Sequence, residues 1–212
     1  MIKQFEQFMN EQNNHNGKEI ISFIEKLSMI TDGYQKQFYE KMLSDAKIVK
    51  CTSVYNILTE NEIKKIKRRV RPVAKECYKN SYLLTEYGII PETSYCEGYM
   101  SYMGIPIEHA FNKVGDKYID ITAELVLERD VDGDEYVVFG EYKKEDVLDI
   151  MLEINHYGGI YYNQFIKNID ENEVVLIDTS KVNYAIYNNI PSNVQKIEER
   201  NPSILFKSIK NE

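Results

Sequence analysis

The chain has 212 residues, 43% of them hydrophobic and 28% charged, values of ordinary globular proteins that exclude global disorder, a collagen-type repeat and a membrane bundle. One compact domain, or a core with appended helices, is expected at this length. The excess of 34 Asp and Glu over 26 Lys and Arg, a formal charge of −8, disfavours nonspecific binding to nucleic-acid phosphates.

Residues 2 to about 48 place apolar side chains at spacings of three and four: Ile20, Ile21, Phe23, Ile24, Leu27 and Ile30, then Phe38, Met42 and Leu43. This is the pattern of helices with one buried face, and Asp32-Gly33 divides it in two. Glu60 to Val70 reads as a charged helix with Thr59 as N-cap and Pro72 as punctuation. A further helix is expected from about Ala74 to Tyr87, stopped by Gly88, with Cys77, Ser81 and Leu84 along one face.

From Thr93 onward the texture becomes β-rich. Strands are expected at Thr93 to Tyr102, Ile107 to Val114, Lys117 to Thr122 and Glu135 to Phe139, separated by Met-Gly-Ile-Pro, Gly-Asp and Asp-Gly-Asp, as in an antiparallel meander. Lys143 to Asn155 is helical by periodicity and ends before Gly158-Gly159. Beyond residue 160 the pattern weakens, with strands at 174–177 and 184–187 and a helix near 192–199 as the expected elements.

Three cysteines, at 51, 77 and 96, permit at most one intramolecular disulfide and imply no stapled framework. The N-terminus has no basic start followed by an apolar run, and no stretch approaches the length of a membrane span, so a cytoplasmic protein without membrane contact is expected. The basic run Lys64 to Arg71 lacks interleaved aromatics and reads as a solvated, acid-paired face, so no nucleic-acid partner is expected. Asp130, Asp132 and Asp134 with Gly133 miss the order of a calcium loop and read as an acidic turn. No phosphate-cradling glycine loop and no zinc spacing is present, so neither cofactor nor metal is expected.

Few residues are suited to nucleophile and base chemistry. His15 sits in a polar turn and reads as solvated, and His156 closes a helix, where it suits the dipole. His109 stands inside an expected hairpin. With Gly115-Asp116 as a two-residue type II′ turn, Val114 faces Lys117 and partner numbers sum to 231. His109, Phe111, Asp120 and Thr122 then share one face, with His109 and Asp120 as diagonal neighbours. A carboxylate so placed fixes the tautomer and orientation of an imidazole. Cys77, near the start of the preceding helix, is the natural nucleophile, because a helix N-terminus and a nearby imidazolium both favour a thiolate. Taken alone, Cys77 reads as a buried structural cysteine.

Cys77-Tyr78-Lys79-Asn80-Ser81, Tyr87-Gly88-Ile89-Ile90-Pro91, Tyr95-Cys96-Glu97-Gly98-Tyr99, His109-Ala110-Phe111 and Asp120-Ile121-Thr122 together resemble the transglutaminase-like branch of the papain-type cysteine enzymes. The resemblance covers about residues 74 to 122. It departs from the family pattern at Phe111 for Trp, at Ile121 for Pro, and at Lys75-Glu76 where a Gly often precedes the Cys. It implies an α+β fold with the nucleophile-bearing helix packed on an antiparallel sheet: an N-terminal helical extension over 1–50, a core over 51–165, and a C-terminal segment over 166–212 packed on it. It also implies a Cys77-His109-Asp120 triad acting on amide bonds, as a thiol hydrolase or protease, deamidase or transglutaminase-type acyltransferase, on a protein, a peptide or a small amide.

Asn80, one turn after Cys77, and Glu97 are possible accessory residues. Asn80 either bonds at the site or holds local backbone. A four-residue loop at Met103 to Pro106 pairs Met100 with His109 and turns Glu97 away from the site, whereas a loop one residue longer or shorter brings it in. The alternative to an enzyme is a noncatalytic transglutaminase-like module that binds a partner protein.

Overall fold

The computed structural model describes residues 16–168, and the protein there is an α+β fold of eight helices and a five-stranded antiparallel sheet. The readings placed on residues 2–15, among them His15, and the elements expected at 174–177, 184–187 and 192–199 lie outside the described residues, as does most of the 166–212 segment.

Two amphipathic helices come first, α1 (Asn16–Ile30) and α2 (Gly33–Asp45), joined at Thr31 and Asp32 as the Asp-Gly break predicts. Lys47 and Ile48, expected at the end of the second helix, instead begin a four-residue edge strand, β1 (Lys47–Lys50), because they pair with β5 (Glu135–Tyr142). A short helix α3 (Val54–Ile57) leads to α4 (Glu60–Arg69). Thr59 and Glu62 cap α4 reciprocally, each side chain bonding the other's backbone N–H, and Ile63 and Ile66 form its buried face. On its exposed face Lys64 pairs with Glu60, and Arg69 lies over the Tyr87 ring at 5.2 Å.

Helix α5 (Cys77–Tyr87) ends at Gly88 in the left-handed conformation, as a C-terminal glycine allows. It begins three residues later than its periodicity suggests, and this makes Cys77 its first residue. Three strands follow, β2 (Thr93–Tyr102), β3 (Ile105–Val114) and β4 (Lys117–Ile119). The β3–β4 register, Asn112 with Ile119 through Val114 with Lys117, has the sum of 231 that the two-residue turn requires. Strand β4 stops at Ile119, however. Asp120 is the N-cap of a short helix α6 (Ile121–Leu125), so Thr122 lies in a helix and not in the expected strand. The carboxylate of Asp120 captures the backbone N–H groups of Thr122 and Ala123 and ends the ladder there. Helices α7 (Lys144–Ile154) and α8 (Ile160–Lys167) complete the described chain.

Strand order is β1-β5-β2-β3-β4. An isolated parallel bridge between Cys51 and Tyr118, with Thr52 N–H donating to the Tyr118 carbonyl at 2.7 Å, joins the two edges and curls the sheet on itself. The enclosed inner face holds Cys51, Cys96, Met100, Phe111, Tyr136 and Val138. The outer face, with Tyr95, Tyr99, Ala110 and Val137, packs under α1, α2, α7 and α8. A third cluster joins Ile63 and Ile66 of α4 to Leu84 of α5 and Ile119 of β4. Each fully buried side chain of Phe111 or Tyr136 size contributes about 1.5–3 kcal/mol of hydrophobic stabilisation. No helix among the described residues is long and apolar enough to cross a membrane.

Candidate active site

His109 and Asp120 meet on the inner face. The His109 Nε2–H donates to Asp120 Oδ2 at 2.6 Å, and both side chains are almost wholly removed from solvent. Strand β3 carries the imidazole on the stretch that β4 leaves unpaired, since β4 covers only Asn112 to Val114. The Phe111 ring lies parallel to the imidazole at 6.5 Å, and the Tyr136 ring meets it edge-on at 6.1 Å. Phe111, which stands where the resemblance expects Trp, thus forms an aromatic wall beside His109.

Asp120 receives four hydrogen bonds. Its Oδ1 accepts from Thr122 and Ala123 N–H, each at 2.9 Å, and its Oδ2 accepts from His109 and from the Tyr136 hydroxyl at 3.0 Å. Burial alone would raise the carboxyl's pKa, but the imidazolium charge, the His109 hydrogen bond and the other donors outweigh it and lower the value. Burial equally opposes a charged His109. The Asp120 carboxylate, with a smaller contribution from Cys77, prevails and raises the imidazole to about 10.

Cys77, on α5, lies close enough to the same imidazole to contribute to its raised pKa. Since Nε2 is held by Asp120, Nδ1 is the ring atom left to face the thiol. Cys77 is the partly accessible cysteine of three free thiols, while Cys51 and Cys96 are buried. Burial raises the pKa of both buried thiols, and they pack as small apolar residues on the inner face. As the first residue of α5, Cys77 lies at the positive end of the helix, where Glu76 makes no side-chain cap.

The approach to Cys77 is held in an unusual backbone conformation. Arg71 and Lys75 have φ of 52° and 66°, the left-handed region that L side chains rarely occupy. Lys75 therefore takes the conformation a glycine would adopt more readily, at the point where the resemblance expects one. Asn80 holds this segment in place. Its Oδ1 accepts from Val73 N–H at 3.1 Å, and its Nδ2 donates to the Val73 carbonyl at 2.8 Å and to Thr122 Oγ1 at 3.1 Å. The side chain thus ties the Cys77 approach to the helix that Asp120 caps. With both amide protons engaged, it positions backbone and has none to spare for a substrate.

Glu97 is not brought to this site. Strands β2 and β3 are joined through Met103-Gly104, both with positive φ, so Gly98 and not Met100 pairs with His109. A two-residue loop keeps the parity of a four-residue one, and Glu97 points to the outer face. There its Oε1 accepts from the Tyr95 hydroxyl at 2.8 Å and Ile160 N–H at 3.1 Å, and its Oε2 accepts from Tyr161 N–H at 2.9 Å, capping α8. His156 follows α7, with Nδ1 3.0 Å from the Tyr157 carbonyl, apart from the Cys77-His109-Asp120 group.

Sequence reasoning missed Tyr136. Glu97 pairs with Gly140, but Gly98 pairs with Val138, so Phe139 is an extra residue in β5. Without this bulge, strict alternation would turn Tyr136 to the outer face; the one-residue shift brings it inward to Asp120. Gly98 permits the close approach, for a Cβ there would lie 1.9 Å from the Val137 carbonyl oxygen. The one available signal was a glycine inside an expected strand, a common mark of a bulge or a close backbone approach.

Among the described residues, no group of three or more His, Cys, Asp or Glu is placed to hold a metal ion. Comparisons of the chain with protein-family models, with curated proteins and with solved structures found no match.

Proposed function

We propose that the chain is a cysteine-dependent acyl-transfer enzyme with a papain- or transglutaminase-like core, in which Cys77 is the nucleophile, His109 the general base and acid, and Asp120 the residue that orients His109. The observation that carries this reading is the 2.6 Å bond from His109 Nε2 to Asp120, with Cys77 near enough to the same ring to help raise its pKa. A carboxylate held by four donors fixes the imidazole so that Nδ1 faces the thiol.

In the proposed reaction, Cys77 acts as a thiolate beside the His109 imidazolium, and the thiolate attacks the carbon of a carboxamide. The C–S bond forms as the carbonyl π pair moves to oxygen, and the Cys77 backbone N–H at the helix N-terminus is the first candidate to receive that charge. Collapse of the tetrahedral intermediate breaks the C–N bond, and His109 returns the proton to the leaving nitrogen. The thioester then passes its acyl group to water, as in a protease or deamidase, or to an amine, as in a transglutaminase. Proteins and peptides are the proposed substrates, with small amides as simpler members of the same chemical class. A reducing, cytoplasmic setting suits a chain whose three cysteines are free.

Alkylation by iodoacetamide, followed at Cys77 by mass spectrometry across pH, tests the reading. We expect Cys77 to react well below the free-thiol pKa of about 8.5, and His109→Ala or Asp120→Asn to abolish that low-pH reactivity. Labelling no faster than that of a cysteine in an unstructured peptide would overturn it.

A further inference from the structure

On the outer face of the sheet, α2, α5 and α8 leave a narrow cleft of about 40 Å³, lined by Tyr78, Glu97, Glu108, Phe139, Tyr161 and Tyr162 among others. Building on the reading of Cys77 as nucleophile, we infer that this cleft receives a cationic side chain of the substrate, lysine or arginine, with Glu108 as its counter-charge.

Position is the first reason. Tyr78 follows Cys77 and Glu108 precedes His109 in the chain, so the two residues beside the thiol and the imidazole both reach into the cleft. Strand alternation sends Glu108 to the outer face while His109 points inward. The Tyr78 side chain lines the cleft, and its chain neighbour Cys77 opens the same helix.

Charge is the second reason. Two carboxylates and several aromatic rings line the cleft, and no Lys, Arg or His does. The acceptors of Glu97 serve Tyr95 and the start of α8. Glu108 accepts from the Tyr99 hydroxyl at 3.2 Å, and its second oxygen is not engaged by any described residue. An ionised carboxylate offers about four acceptor sites, so Glu108 keeps capacity for an incoming N–H donor. Glu108 lines the cleft and is exposed to solvent as a residue, yet burial of its carboxylate raises its pKa. An arriving cation would offset that cost, and the faces of Tyr and Phe rings attract the same cation through their quadrupoles.

Size is the third reason. One water-sized group needs roughly 10–15 Å³ of such space, so the cleft of about 40 Å³ has room for about three. A slim side chain with a charged tip suits that volume. A bulky aromatic side chain does not, and an aspartate or glutamate would meet like charge.

Binding to the full-length Cys77→Ala protein tests the inference without requiring turnover. The probes are Nα-acetyl-lysine methylamide and Nα-acetyl-norleucine methylamide, which differ chiefly in the ammonium group, titrated at low salt and followed by NMR. The lysine probe should bind about fivefold more tightly or better, and this preference should vanish in the Cys77→Ala/Glu108→Gln double variant and shrink in 1 M NaCl, where the Debye length is about 3 Å. Equal binding of the two probes, no measurable binding of the lysine probe, or a preference that survives Glu108→Gln would overturn the inference. An inert Cys77 combined with an intact lysine preference would sink the acyl-transfer reading and leave the cleft as a cation site. A reactive Cys77 without the preference would do the reverse.

Discussion

Asp120 and Glu97 are both almost wholly buried carboxylates on opposite faces of the same sheet. Each caps the start of a helix, Asp120 that of α6 and Glu97 that of α8, and each accepts from a tyrosine hydroxyl. Their electrostatics diverge all the same. Burial is the largest influence on both, and it prevails at Glu97, whose pKa is raised, while at Asp120 it is overcome and the pKa is lowered. The difference is His109. At Glu97 three neutral donors do not overcome burial, whereas at Asp120 three neutral donors and one imidazolium do. A buried carboxylate on a helix cap is therefore an ordinary structural device until a basic side chain is placed against it.

The largest expected effect comes from Asp120→Asn, which keeps the size of the side chain and removes its charge. Stranding a buried imidazole should cost about 3–5 kcal/mol in urea denaturation at pH 6. The substitution should also change how stability depends on pH. A raised His109 pKa contributes stability that is complete below 6.5 and fades as pH climbs toward about 10. A lowered Asp120 pKa contributes stability that is complete above 3.8 and is lost as pH falls through its depressed folded value. Wild-type protein should therefore draw most from the pair between pH 4 and 6.5 and lose that contribution toward pH 10, whereas Asp120→Asn should lack this alkaline decline. An unchanged slope between pH 7 and 10 would mean that the pair is not ionised as argued.

Glu97→Gln should act more weakly and elsewhere. The amide retains one acceptor oxygen for three donors, so about 1–2 kcal/mol should be lost at pH 7 from the start of α8. Its pH signature runs the other way, because a raised carboxyl pKa favours the folded state at acid pH and that advantage disappears as pH rises above 4.5. Cys77 alkylation should stay at the wild-type rate, and a fall in it would show that the outer-face carboxylate is coupled to the thiol.

The smallest change is expected from Lys75→Gly. Relief of the positive φ is partly cancelled by the greater freedom of glycine in the unfolded chain, so stability should shift by less than about 1 kcal/mol. A loss well above that would show that the Lys75 side chain makes a contribution of its own at the approach to Cys77.

Much of the local structure is legible from local chemistry. The capping pair Thr59 and Glu62, the terminating Gly88, the Gly115 turn and the resulting β3–β4 register follow from rules that act over a few residues. Short elements were not legible in the same way. Strand β1 spans four residues and α6 five, too few for periodicity to register, and each exists because a distant partner completes it: β5 for β1, and for α6 an Asp120 already held by His109 and Tyr136.

The sequence by itself determined the α+β class, the order of the main helices and strands, and the candidates Cys77, His109 and Asp120, because spacing, turn chemistry and the scarcity of histidine are properties of neighbouring residues. Tertiary structure alone decided that α5 begins at Cys77, that Glu97 faces away, and that Tyr136 joins Asp120. Those outcomes depend on a two-residue loop, a bulge at Phe139 and the closure of the sheet through Cys51 and Tyr118. A shift of one residue reverses the face of every following side chain in a strand, so the make-up of the candidate site rests on registers that only the assembled sheet sets.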